Sequence, residues 1–246
     1  MATMALATEQ VDNTMTWLQH DGKPFWIKDG PFKDQGINDV FERFVQQHLP
    51  QYQHKSVKTN LLRFYAEMKN GQKVCSASRL LTEPRKQFMY FSTLATGIGQ
   101  SPGLVTLTEH PIAQRIHDHQ VSLKTVFSHR NIIGVIHERK FGPPLDAMLS
   151  TYQGTPHLRE HRELNSDHLL GQLIRGGIDA YITYEIELAY VIAQPPFDAF
   201  KEKLRYATIA ESANQIKFNY IVCSKSDWGK LAIERISEVI RQHRST

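Results

Sequence analysis

Long apolar runs are missing from this 246-residue chain, and so are blocks of like charge, zinc-type cysteine pairs and the short signatures of common catalytic sites. No apolar stretch approaches the roughly 18 residues that a membrane-spanning helix needs. The 29 basic and 25 acidic residues leave a net charge of +4, which allows contact with an anionic partner. Those charges are interspersed, whereas a nucleic-acid reader clusters them, so no nucleic-acid partner is expected. The chain has only two cysteines, Cys75 and Cys223, and neither belongs to a Cys-x-x-Cys. That argues against a zinc site. Each lies inside an apolar strand-like run, "KVCSAS" and "NYIVCSK". Two buried free thiols and one disulfide both remain open at this level, the second requiring an oxidising compartment. Gly-x-Ser-x-Gly, a Walker-type loop and His-Glu-x-x-His are all absent, which removes the commonest hydrolase, nucleotide and metalloprotease readings. Twelve histidines are present, with His110, His117 and His119 close together and His157 and His161 four residues apart. The second pair would share a helix face and could bind a metal, but its polar surroundings favour surface histidines. No catalytic residue, metal or cofactor is expected.

What is there describes a globular protein: 41% hydrophobic and 22% charged residues, enough chain for one large domain or two modest ones. The start, "MATMALATEQ", ends a small-residue run in Ala-Leu-Ala, like the tail of a secretory signal without its apolar core; an ordinary polar N-terminus is the alternative. Seven segments read as strands: Met15–Gln19, Val74–Ser78, Leu104–Thr108, Asn131–His137, Ala180–Tyr184, Tyr206–Ile209 and Phe218–Ser224. Several are short and apolar, as expected of strands covered on both faces. Helix patterns lie between them. One stripe runs from Val40 to Leu49 and stops at Pro50, and another from Leu61 to Met68 stops at Asn70-Gly71. Pro143-Pro144 opens a helix that Gly154 closes, and Leu231 to Ile240 forms the last. Alternating strands and helices indicate an α/β protein.

The Gly/Ser/Thr-rich stretch "STLATGIGQSPG" (92–103) separates two α/β blocks, and "ESANQIK" (211–217) precedes the last strand and helix. The chain is therefore expected to leave a first block near 95 and return to it near 217. That gives two lobes, 14–95 with 218–246 and 96–217, joined by two crossovers in a geometry that closes on a ligand.

Four stretches carry a family resemblance. "GKPFWIKDGPFKDQGINDVFERFVQQHLP" places Pro24-Phe25 after the first strand, with Gly36 and Asp39 starting a helix. "MKNGQKVCSASRLLTEPRKQFMYFS" reads helix, Gly, strand, Thr82-x-x-Arg85 and Phe91-Ser92. "LLGQLIRGGIDAYITYEIELAY" and "NYIVCSKSDWGKLAIERISEVI" match a second-lobe stretch and a return strand with its final helix. In this order and spacing, over roughly residues 14–244, the chain resembles the bacterial extracellular solute-binding proteins of family 3. The resemblance implies a two-lobed type 2 periplasmic-binding fold, each lobe a mixed, mainly parallel sheet flanked by helices. It also implies a periplasmic or extracellular location and a small-molecule solute. The expected partner is the membrane component of an ABC transporter or a sensor, and the expected state a monomer. A few relatives are dehydratases or accompany murein-cleaving domains, so an enzyme on the same scaffold is the alternative.

The resemblance also implies roles. Thr82 and Arg85 would face the interlobe cleft, the arginine clamping a ligand carboxylate with its planar fork; on the residues alone, a salt bridge to Glu83 or another surface acid is the favoured reading. Phe25 and Trp26 would form part of the cleft or simply pack in the core. Gly142, at the start of the Pro143 helix with Arg139 and Lys140 before it, would favour an anion through free N–H groups, and Arg63 is a weaker candidate of the same kind. Where relatives receive an α-ammonium on an aspartate, this chain has Tyr184, with Glu185 beside it. A free amino acid is therefore in doubt as the ligand, and Glu185 is the one acid to name for an enzyme. In this fold the strand of Cys75 lies beside the returning strand of Cys223, so the resemblance implies that the two are bridged.

Overall fold

The computed structural model of the protein describes residues 13–20, 22–162, 166–213 and 215–243; the Ala-Leu-Ala stretch lies outside them. The chain runs β1 (Thr14–Gln19), α1 (Ile37–Gln47), β2 (Gln53–Lys58), α2 (Leu61–Lys69), β3 (Val74–Leu80), α3 (Glu83–Lys86), β4 (Met89–Phe91) and β5 (Gly97–Gly99). It continues through β6 (Gly103–Leu107), β7 (Gln120–Val121), α4 (Leu123–Ser128), β8 (Ile133–Ile136), α5 (Pro143–Tyr152) and β9 (Leu158–His161). It ends with α6 (Ser166–Ile174), β10 (Ala180–Thr183), α7 (Glu185–Val191), β11 (Leu204–Ile209), β12 (Lys217–Ser224) and α8 (Asp227–Gln242).

Two sheets result. The first has the order β2-β1-β3-β12-β4 with β5 also paired to β12, and the second the order β7-β11-β6-β10-β8-β9. Both are mixed: β2, β1 and β3 run parallel while β12 opposes β3, and β10, β8 and β9 run parallel while β6 opposes β10. Alternation along the strands sends neighbours to opposite faces. Trp17 packs with Ile221 and Ile236 while Leu18 packs with Phe64 and Val222. Leu104 joins Phe127 and Leu145, whereas Val105 joins Leu170 and Leu188. Each sheet is thus covered on both faces, so its strands read as apolar runs. Full burial of each such side chain contributes about 1.5–3 kcal/mol.

The seven expected strands are all present within two residues at either end. Five more were not legible. β2 reads "QHKSVK" and pairs with β1 in register from Thr14↔Gln53 to Gln19↔Lys58. It is a sheet edge, where lysines and polar residues guard open backbone groups, so it has no apolar period to detect. β4, β5, β7 and β9 are four residues or fewer. β9 also corrects the helical histidine pair: His161 lies on a strand and His157 just before it. Among the described residues no cluster of three or more metal-ligating side chains occurs.

Two features tie the ends of the chain together. Cys75 and Cys223 are partners across β3 and β12 and are joined by a disulfide, so the bridged alternative is the correct one. The two crossovers run side by side, with Lys217 opposite Gly99 and Phe218 opposite Ile98. Beyond them Ser101 Oγ donates to the Ala213 carbonyl at 3.2 Å.

Candidate functional site

A cavity of about 710 Å³ is lined by residues of both sheet units and of the crossovers, a size in the usual range for small-molecule sites. The first unit contributes the loop after β1 and the end of β3. Asp39, in the first turn of α1, accepts N–H bonds from Gly36 at 3.1 Å and Ile27 at 2.8 Å and is ion-paired with Lys28. This folds the loop back on α1 and places Phe25 and Trp26 at the cavity. The fold-back needs a glycine at 36, because a Cβ there would sit 2.4 Å from the Phe25 carbonyl oxygen. Trp26 is almost fully buried and its ring centroid lies 4.3 Å from that of His20, so it serves core and cavity wall together.

Arg85 lies in α3 and is 7% exposed. Its guanidinium donates to the Leu80 carbonyl at 2.8 Å and to the Tyr65 hydroxyl. Glu83 instead bonds Lys86 at 2.7 Å on the surface, so the Arg85–Glu83 salt bridge is not formed. Arg79, at the end of β3 and 6% exposed, is a second buried guanidinium on the same wall. It donates to the Ser78 carbonyl at 2.7 Å and to His20 Nδ1 at 3.3 Å, and lies over the Phe64 ring at 4.0 Å. Burial, with Arg85 adding repulsion, pushes Arg79 down to about 9, so it remains cationic at neutral pH. Burial, Arg79 and Arg139 hold His20 well below its ordinary value and hence neutral, as its role as acceptor from Arg79 requires.

The facing wall comes from the second unit. Arg139 is ion-paired with Glu187, whose other oxygen accepts from Thr183 at 2.6 Å and Ser166 at 3.2 Å. The guanidinium lies over the Tyr184 ring at 4.9 Å. Burial raises the Tyr184 phenol, keeping it neutral. At the crossover, Lys217 is 6% exposed and its ammonium has no hydrogen-bond partner among the described residues. Burial lowers its pKa, with Asp146 acting in the opposite direction. The Lys217 chain passes over Gly142, where φ is +108° and a Cβ would come within 2.9 Å of Lys217 Cε. Only glycine accommodates both that backbone and that contact.

Of the residues expected from the sequence, Arg85, Phe25, Trp26 and Tyr184 line the cavity together. Thr82, Arg63, Gly142 and Glu185 are not among its lining residues. Thr82 is the N-cap of α3 and gives its carbonyl to the Arg85 N–H. Arg63 is exposed and paired with Glu67 at 2.8 Å. At the start of α5 the N–H groups of Phe141 and Gly142 are taken by the helix's own Asp146, at 2.8 and 3.2 Å. Glu185 is exposed, whereas Glu187 two residues on is buried and faces the cavity. Sequence reasoning missed Arg79, His20, Lys217 and Glu187. Arg79 and Lys217 did leave a signal: each is a charged residue inside or abutting an apolar strand expected to be buried.

No protein-family model matches the chain, and no curated protein matches it. Solved structures do. The arginine-, lysine-, histidine-binding protein ArtJ of Geobacillus stearothermophilus superposes with a TM-score of 0.70 at 14% identity, covering 95% of this chain and 92% of that one. Holo ArgBP from T. maritima gives 0.66 at 17%, over 94% and 90%. A structure from work on glutathione import via GshT and the cystine ABC importer TcyBC of Streptococcus mutans gives 0.70 at 16%, over 95% and 90%. With two sheets, two crossovers and a cavity lined from both sides, the chain has the two-lobed α/β fold of the substrate-binding proteins of amino-acid ABC transporters.

Proposed function

We propose that the protein captures a small, carboxylate-bearing solute in the cleft between its lobes, for uptake or for sensing. The observation that carries the reading is Arg85: a buried guanidinium on the cavity wall, held by a carbonyl and a phenol and paired with no carboxylate among the described residues. Such a fork is oriented for a carboxylate that the protein itself does not supply. Phe25, Trp26 and Tyr184 wall the site, and Thr82 sets the backbone from which Arg85 projects. The lobes comprise about 14–95 with 218–246 and 96–217, with the β5–β12 pairing as the hinge. The reading extends to an exported monomer that hands its solute to an ABC transporter membrane component or a sensor, as the solved relatives named for ABC importers suggest. The disulfide fits an oxidising compartment. Against an enzyme on this scaffold stands the exposed position of Glu185.

Thermal shift against amino acids, short peptides, dicarboxylates, aromatic acids and cations tests the proposal, with Arg85→Ala alongside. A solute held at 100 times its Kd stabilises by about 2.7 kcal/mol. The expected result is a carboxylate that shifts the wild type and not the variant. Silence across the panel, or a hit indifferent to Arg85→Ala, contradicts it.

A further inference from the structure

Among the described residues, six cationic side chains line the cavity, Lys23, Arg79, Arg85, Arg139, Lys140 and Lys217, against three acidic ones, Glu138, Asp167 and Glu187. Two of the six are neutralised inside the protein, Lys23 by Asp29 at 2.6 Å and Arg139 by Glu187, and Lys140 is exposed. That leaves Arg79, Arg85 and Lys217. All three are buried, and none is ion-paired among the described residues. Among the described residues, Arg79 Nε and Lys217 Nζ have no hydrogen-bond partner.

Burying an unpaired charge is among the most unfavourable arrangements a protein can hold. Here three cations share one cavity, and Arg79 and Arg85 repel each other. Cation–π contact with Phe64 and Trp26 relieves Arg79 only in part. One carboxylate on Arg85 would leave the ammonium at the crossover with only the attraction of Asp146. Glu187 and Asp167 offer no open seat for a ligand ammonium, since both Glu187 oxygens are engaged and Asp167 has partners of its own; the Glu138 side chain, 3.7 Å from His137, stands at 40% exposure. At the end of β10 stands the neutral Tyr184.

We infer that the cleft selects a solute with two anionic groups, one held between the guanidinium groups of Arg79 and Arg85 and the other at the ammonium of Lys217. This rests on the solute-binding reading and narrows it. A dicarboxylate and a phosphate-bearing carboxylate share the required chemistry. Lys217 is the residue that distinguishes such a solute from a monocarboxylate or a zwitterionic amino acid, and Arg79 strengthens the hold on the first anion.

The test is calorimetric titration of wild type, Arg79→Met and Lys217→Met. The probes are linear dicarboxylates of increasing length, phosphorylated carboxylates, length-matched monocarboxylates, and neutral and cationic amino acids. A dianion should bind roughly 10–100-fold tighter than its matched monoanion, as expected for one more charge-assisted contact. Lys217→Met should erase that margin while the Arg85-dependent monoanion affinity persists, and Arg79→Met should weaken dianion and monoanion alike. The dicarboxylate and phosphate arms tell which second anion is read. Ligand-free Arg79→Met should melt no lower than wild type, since it removes a buried unpaired charge. If it does not fold, Arg79→Lys keeps the charge without the planar fork and should lose part of the affinity for both classes of anion. Amino acids or monoanions binding as tightly as dianions, unaffected by Arg79→Met, would overturn the inference and leave the solute-binding reading standing. Binding of nothing in the panel would overturn both.

Discussion

At the scale of single residues, the site depends on where burial opposes charge. Arg79 and Lys217 are buried cations with no ion-paired carboxylate among the described residues, and His20 is an imidazole kept neutral by burial and by two arginines. The His20 shift has a sign. Unfolded chains bind a proton below about pH 6.5, while the folded imidazole resists it. Its contribution to stability is therefore complete above that pH and is lost as pH falls below it. His20→Gln should flatten the decline in melting temperature between pH 7 and pH 5 relative to wild type; an unchanged slope would show that His20 titrates freely. Arg85→Ala should weaken solute binding by about 2–5 kcal/mol, the range for truncating one partner of a buried charged pair, as titration can check. Arg85 was legible because its neighbours Thr82, Phe91 and Ser92 form a spaced signature. Arg79 was not, because an arginine in a strand has no spacing partner and becomes meaningful only once Trp26, Phe64 and His20 surround it. Glu187 was misplaced by two residues, since the helix turn that buries 187 and exposes 185 is a tertiary outcome.

At the scale of elements, legibility followed the apolar pattern. α5 was placed at both ends because Pro143-Pro144 and Gly154 punctuate it and Leu145 and Leu149 face one core. β2 was invisible because an edge strand carries its partner's register and no hydrophobic alternation of its own. The polar stretch 211–217 read only as an interruption, yet Glu211 reaches across it to cap α4. It accepts from Ser122 Oγ at 2.9 Å and from the N–H groups of Leu123 and Lys124, both at 3.0 Å. Partial burial opposes ionisation there, but these donors outweigh it and hold the carboxyl below its ordinary value. Its stabilisation is thus present above the ordinary carboxylate pKa and fades as pH falls through the lowered one. Glu211→Gln should cost about 0.5–2 kcal/mol at neutral pH, the usual worth of an N-cap, and less in acid. Urea unfolding at both pH values checks this, and equal losses would contradict it.

At the scale of the whole molecule, the alternation of strands and helices and the two polar breaks were enough to expect two lobes and two crossovers. What the sequence could not supply was the packing of one lobe's cavity wall against the other's, because that surface is made of residues about 50 to 170 positions apart. The Cys75–Cys223 bridge closes a span of 148 residues between the two chain segments of the first sheet. A disulfide typically contributes about 2–4 kcal/mol to stability. The Cys75→Ser, Cys223→Ser double variant should lose that much in reversible denaturation and retain solute affinity, since neither cysteine lines the cavity. Loss of affinity in a folded variant would instead couple the bridge to the cleft.

The account rests on a solute held between two lobes that close on it. Small-angle scattering of the protein with and without a carboxylate ligand found by thermal shift measures this directly. A radius of gyration that falls on binding in the wild type and stays fixed in Arg85→Ala is the predicted result. A ligand that binds the wild type without any change in radius would contradict it.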